Sequence, residues 1–123
     1  MEILIKKIIN NIVFCKTECG ELFVEWVGDI PKPNNVYFIE LEIIDDLKWG
    51  ENVLLANSTD EIIFYNNEYV KLNGLLESID DDGCATLRID KFIIMFSCKG
   101  NTLPIGSHIV ISVKHLLACP YEC

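Results

Sequence analysis

The feature that most constrains the fold is the regular punctuation of short apolar runs by turn residues. Runs rich in Ile, Val, Phe and Tyr end at Asn10-Asn11, at Gly20, across residues 29–35, at Asp45-Asp46, at Asn66-Asn67, at Asp80-Asp81-Asp82-Gly83 and at Lys99-Gly100-Asn101. β-Branched runs broken about every eight to twelve residues are the pattern of an all-β barrel or sandwich. No repeat, low-complexity tract or linker divides the chain, and 123 residues suit one domain spanning 1–123.

Residues 36–44 give the clearest strand. Tyr37, Ile39, Leu41 and Ile43 share one face, and Phe38, Glu40 and Glu42 the other. With period two, the two glutamates project about 7 Å apart from one sheet surface. The run over residues 3–14 is ambiguous: Ile5, Ile8, Ile9 and Ile12 have helical spacing, whereas the β-branched content and Asn10-Asn11 favour strands with a bend. Residues 47–50 read as a turn. Residues 69–79 form a long strand in which Gly74 marks a bulge or a sharp bend. Asp82-Gly83 closes a hairpin onto Ala85, Leu87 and Ile89. Residues 92–96 are apolar on both faces and should be buried. Residues 109–113 close the sheet, and Pro120, lacking an N–H, keeps the tail out of any central strand. These elements predict a small closed or partly open antiparallel barrel, with the five-stranded OB type preferred over an SH3-like barrel or a sandwich.

Charge decides among functions. Nineteen acidic residues oppose ten basic ones, a formal charge of −9, and Arg88 is the single arginine. Nucleic-acid binders draw affinity from neutralising phosphates with Lys and Arg, so this balance disfavours them and also disfavours anionic membranes. No apolar stretch is long enough to span a bilayer, and Lys6-Lys7 interrupts the only leader-like run, which predicts a cytoplasmic protein with reduced thiols.

Chemical motifs are few. Cys15 with Cys19, and Cys119 with Cys123, are paired C-x-x-x-C steps that four-coordinate zinc could use, but neither has the tight C-x-x-C spacing. A calcium loop starting at Asp80 fails, because Ala85 and Lys91 stand where glycine and glutamate are required. His108 and His115 lack a neighbouring nucleophile signature, and Glu40 with Glu42 on an open sheet face have no reason to adopt split acid and base roles. No phosphate loop is present, so no enzyme and no cofactor is expected. Tyr37, Phe38, Tyr65 and Tyr69 could stack bases in an OB-type single-strand binder, but Glu40, Glu42, Glu61 and Glu68 stand where cations belong.

The segments Tyr37-Phe38-Ile39-Glu40-Leu41-Glu42-Ile43, Leu47-Lys48-Trp49-Gly50-Glu51, Leu75-Leu76-Glu77-Ser78, Asp81-Asp82-Gly83, Leu87-Arg88-Ile89, Ile105-Gly106 and Ile109-Val110-Ile111 together resemble small acidic bacterial immunity proteins of polymorphic toxin and contact-dependent inhibition systems. The resemblance implies a non-catalytic protein that covers a cognate basic toxin domain. The exposed aromatic Phe38 with Glu40, Glu42, Asp45, Asp46, Asp80, Asp81 and Asp82 is the expected partner-binding set, and Phe23 beside Glu25 is a further apolar anchor. The alternatives are the single-strand nucleic-acid module and a small zinc protein.

Overall fold

A computed structural model describes residues 1–121, and among these every regular element is a strand. Strands β1 (Glu2–Ile9) and β2 (Ile12–Thr17) form a hairpin at Asn10-Asn11, where Asn10 takes φ of 56°. Asparagine tolerates that left-handed conformation, so turn chemistry rather than isoleucine spacing decides this segment. β3 (Gly20–Trp26) pairs with β2 in full register. β4 (Val36–Ile43) returns to pair with β1.

The chain then leaves and comes back only at its end. β12 (Leu116–Pro120) pairs antiparallel with β4 and parallel with β3, so β1-β2-β3-β12-β4 closes on itself as a five-stranded barrel. This corrects the expectation that the tail stays outside the sheet. Pro120 stands opposite Ile39 in a non-hydrogen-bonded pair, so β4 does not need its missing N–H, and the ladder resumes with the Tyr121 N–H to Phe38. The elements credited from sequence with closing the barrel lie instead between β4 and β12.

That intervening stretch curls into a second sheet, continuous with the barrel through the bridge between Gly20 and Ile63. β5 (Leu47–Lys48), β6 (Val53–Leu55), β7 (Ile62–Tyr65), β8 (Val70–Ile79), β9 (Cys84–Ile89), β10 (Phe92–Lys99) and β11 (His108–Val113) occur in this order. Pairing runs β6-β11-β8-β9-β10-β5, and a Trp49–Val53 bridge ties its two ends. Residues 47–50, read as a turn, thus contain a short strand and the buried Trp49, whose ring lies 5.8 Å from that of Phe96. Gly74 is not the bulge, since the register shift falls between Leu76 and Ser78. Instead a Cβ at Gly74 would run into the carbonyl oxygen of Arg88, so β8 is held close to β9 there.

One cluster of buried residues runs through both sheets, from Ile3, Val13, Leu22 and Ile39 in the barrel to Leu72, Leu87, Ile109 and Ile111 in the curl. Alternation is kept strictly in β9 and β11, as period two demands. It is also kept in β10, contrary to the reading of that strand as buried on both faces. Ile94 and Phe96 are buried, but Ile93 and Met95 are 54% and 57% exposed, because nothing covers the outer face of this strand.

Candidate functional site

A concavity of about 800 Å³ lies between β4 and β10. It follows from how the chain leaves the barrel. β5 pairs parallel with β10, Leu47 opposite Cys98 and Lys48 opposite Lys99. β4 reaches β5 through three residues, so β4 and β10 converge where β5 begins. Between them is a fork.

Both banks of the fork are strand edges. On the β1 side of β4, pairing ends with Met1 and Ile39: the terminal ammonium donates to the Ile39 carbonyl (2.9 Å) and the Ile39 N–H donates to Met1 (2.8 Å). β12 occupies the opposite edge of β4, with the Tyr121 N–H donating to Phe38 and the Ile44 N–H to His115. Ladder groups alternate sides, so Leu41 and Ile43 present N–H and C=O to the groove with no strand partner among the described residues. On β10, Phe92, Ile94 and Phe96 face β9 across the hairpin at Asp90-Lys91, which leaves Ile93 and Met95 aimed at the groove.

The floor is apolar, with Ile39, Leu41, Ile43, Phe92, Ile94 and Phe96 among its lining side chains, whereas the β4 rim is acidic. Phe38, Glu40 and Glu42 lie on the solvent face of β4, Phe38 being 58% exposed. Asp45 and Asp46 line the joined end. Asp80, Asp81 and Asp82 form the β8–β9 turn, next to Cys84, which itself lines the groove. Ion pairs among the described residues use Glu18, Glu25, Glu51, Glu61, Glu68 and Glu77, and none of these seven sequence-expected carboxylates. The single arginine is held by Glu77 in a two-pronged contact (2.8 and 3.2 Å), and Lys91 at the rim is held by Glu18 (2.7 Å). Burial raises the pKa of the Cys119 thiol, and the nearby Glu42 and Glu40 charges raise it further. Tyr121 responds in the same way to burial and to Glu40, which also accepts its hydroxyl proton at 3.3 Å.

The expected residues do not all have the same task. Both oxygens of Asp45 accept backbone N–H groups, from Lys114 and His115 at 2.8 Å each, so this carboxylate fastens the turn into β12. Asp82 accepts the Cys84 N–H (3.1 Å), and Gly83 at φ of 87° completes the hairpin. Glu40, Glu42 and Asp46 are free of such duties, except for the Tyr121 contact of Glu40. Ile93 and Met95 were missed by sequence reasoning; the signal was there, because alternate exposure is the rule for a strand with one covered face.

Other candidates disperse. Phe23 is not an exposed anchor: its ring packs 6.1 Å from Phe14 and 5.6 Å from Tyr65. Tyr37 meets Trp26 edge-on at 5.4 Å, Phe38 points the other way, and Tyr69 lies under Lys71 and Lys114, so the four proposed stacking aromatics share no surface. Cys15 is buried in β2, and burial pushes its thiol up to about 12, which opposes the thiolate a metal needs. Cys19 packs in the β2–β3 turn and Cys119 sits on β12, while Cys123 lies outside the described residues. No group of three or more His, Cys, Asp or Glu among the described residues is placed to hold a metal ion. No described helix is long and apolar enough to cross a membrane.

These features define a class: an all-β protein containing a closed five-stranded barrel, with an acid-rimmed, apolar-floored cleft where an intervening sheet meets it. Comparison with protein-family models, curated proteins and solved structures yields no match to the chain.

Proposed function

We propose that the protein is a non-catalytic binding protein whose acidic cleft docks a basic protein partner, in the manner of an immunity protein neutralising a cationic toxin domain. The observation that carries this reading is the set of carboxylates around one apolar groove with no cation paired to them. An apolar floor with a charged rim is the anatomy of a protein interface, and like-signed rim charges accelerate encounter with an oppositely charged partner. The five-strand closure, with its parallel β3–β12 pair, supports the OB-type reading of the barrel. Reduced thiols and a cytoplasmic location belong to the same reading.

The test is co-expression with a basic toxin domain encoded beside its gene. A stoichiometric complex whose association slows as salt rises, and slows again in the Glu40→Gln, Glu42→Gln double variant, is expected. An acidic partner, or binding indifferent to salt, overturns the reading.

One observation favours a second reading, single-stranded nucleic acid. Phe14 and Tyr65 line a smaller cleft of about 270 Å³ together with Lys6 and Lys7, so cations stand beside aromatic rings there. Glu21 stands in the same cleft, and the rings pack on one another rather than outward. Retarded migration of a single-stranded oligonucleotide at low salt, abolished by Lys6→Ala with Lys7→Ala, would support this reading; no retardation removes it.

A further inference from the structure

We infer that the groove between β4 and β10 is a strand-insertion site, taking one extended segment of a basic partner in which apolar residues alternate with lysine or arginine. The inference rests on the acidic-docking reading above and specifies how the partner is held.

The banks supply unpaired main-chain groups. Leu41 and Ile43 on one side, and Ile93 and Met95 on the other, aim N–H and C=O across the groove. A sheet edge left open is a template for another chain. An extended segment lying in the groove can pair with the open edge of either bank. β10 is open from residue 92 to 97, about 20 Å of edge at roughly 3.3 Å per residue.

The side-chain pattern of the occupant follows from the two faces of the fork. Inward residues of an inserted strand meet Leu41, Ile43, Ile94 and Phe96, so they should be apolar. Outward residues lie between Glu40 and Glu42 on one flank and the exposed Ile93 and Met95 on the other. A lysine or arginine satisfies both flanks, because its aliphatic stem covers apolar surface while its cation reaches a carboxylate. Neither an acidic strand nor a phosphate backbone does so.

The probe is a capped peptide of alternating lysine and valine, long enough to cover the free edge of β10. It is compared with a copy N-methylated at alternate residues, which has the same charges but fewer donors, and with a glutamate–valine peptide. Binding is followed by calorimetry. The decisive variant is Met95→Pro: the N–H it removes faces the groove, while the ladder to β9 uses residues 94 and 96. Circular dichroism and the urea midpoint check that the variant folds, and Ile43→Pro offers the same test from the other bank. We expect the lysine–valine peptide to bind. N-methylation or Met95→Pro should weaken it by about tenfold or more, and the glutamate peptide should not bind. Equal binding of the methylated peptide, or full binding by a folded Met95→Pro variant, overturns strand insertion. The acidic-docking reading survives that outcome, because Met95→Pro leaves every rim carboxylate in place, and it fails separately if the basic partner of the preceding section does not bind. Concentration-dependent dimerisation abolished by Met95→Pro would give the groove to a second copy of the chain and also overturn the proposal.

Discussion

Gly20 is where the barrel and the curled sheet pair along the backbone, and replacing it by alanine should loosen that junction. Gly20 opens β3 and pairs with Ile63 of β7, and the Ile63 N–H donates to the Cys19 carbonyl at 2.9 Å. Its φ of +138° is closed to side-chain-bearing residues, and a Cβ there would land inside the Ile63 carbonyl group. The backbone strain amounts to about 1–3 kcal/mol. Loss of the Cys19–Ile63 hydrogen bond adds about 1 kcal/mol. With a urea m-value of about 2 kcal/mol per molar, the midpoint should fall by about 1–2 M. Gly83→Ala is the matched control: Gly83 also has positive φ, +87°, but an added Cβ there meets nothing within 4 Å. Strain alone should then cost about 1 kcal/mol. Chemical denaturation of both variants, with hydrogen exchange at Ile63, reads the difference. A Gly20→Ala variant no less stable than Gly83→Ala, with Ile63 still protected, would refute the claim that this contact joins the two sheets.

Two further outcomes follow from the same physics. Burial holds the Cys15 proton to about pH 12, against 9.0 for an unburied thiol. Between those values the unfolded chain loses this proton and the folded chain keeps it, so stability should decline with rising pH by about 1.4 kcal/mol per unit from this group, with no contribution below the window. Denaturation of Cys15→Ala across that range should show the shallower slope, and equal slopes would count against the buried thiol. Asp45→Ala removes the acceptor of two backbone N–H groups and should destabilise by about 1–2 kcal/mol. Asp46→Ala makes the same charge change without that duty and should leave thermal unfolding almost unmoved; similar losses in both would show that charge, not the turn contact, is what matters at Asp45.

Much of the fold was legible because turn chemistry is local. Asn10-Asn11, Asn66-Asn67 and Asp82-Gly83 each turn the chain where their backbone preferences indicate, and the faces of β4, β9 and β11 follow period two. Topology was less legible. Nothing in the residues around Pro120 announces that β12 will find both β3 and β4, since strand partners distant in sequence are chosen by the whole packing and not by any local signal. The same non-locality hid Asp45, whose acidic side chain reads as surface charge but answers two N–H groups some seventy residues away.

The candidate site inherits this division. The glutamates of β4 were visible as an acidic face, yet a face is not a cleft. The cleft exists because β12 claims one edge of β4 while pairing on the other edge stops at Ile39, and because β5 is too short to cover more of β10 than residues 98 and 99. A two-residue strand thus leaves open the edge that a longer β5 would have sealed. Extended free edges are a hazard that natural sheets blunt with charge, and Glu40 and Glu42 lie beside this one. Under the proposed strand insertion, the same carboxylates that deter an acidic copy of the chain would make the edge selective for a cationic strand, so protection against aggregation and choice of partner would come from one arrangement of residues.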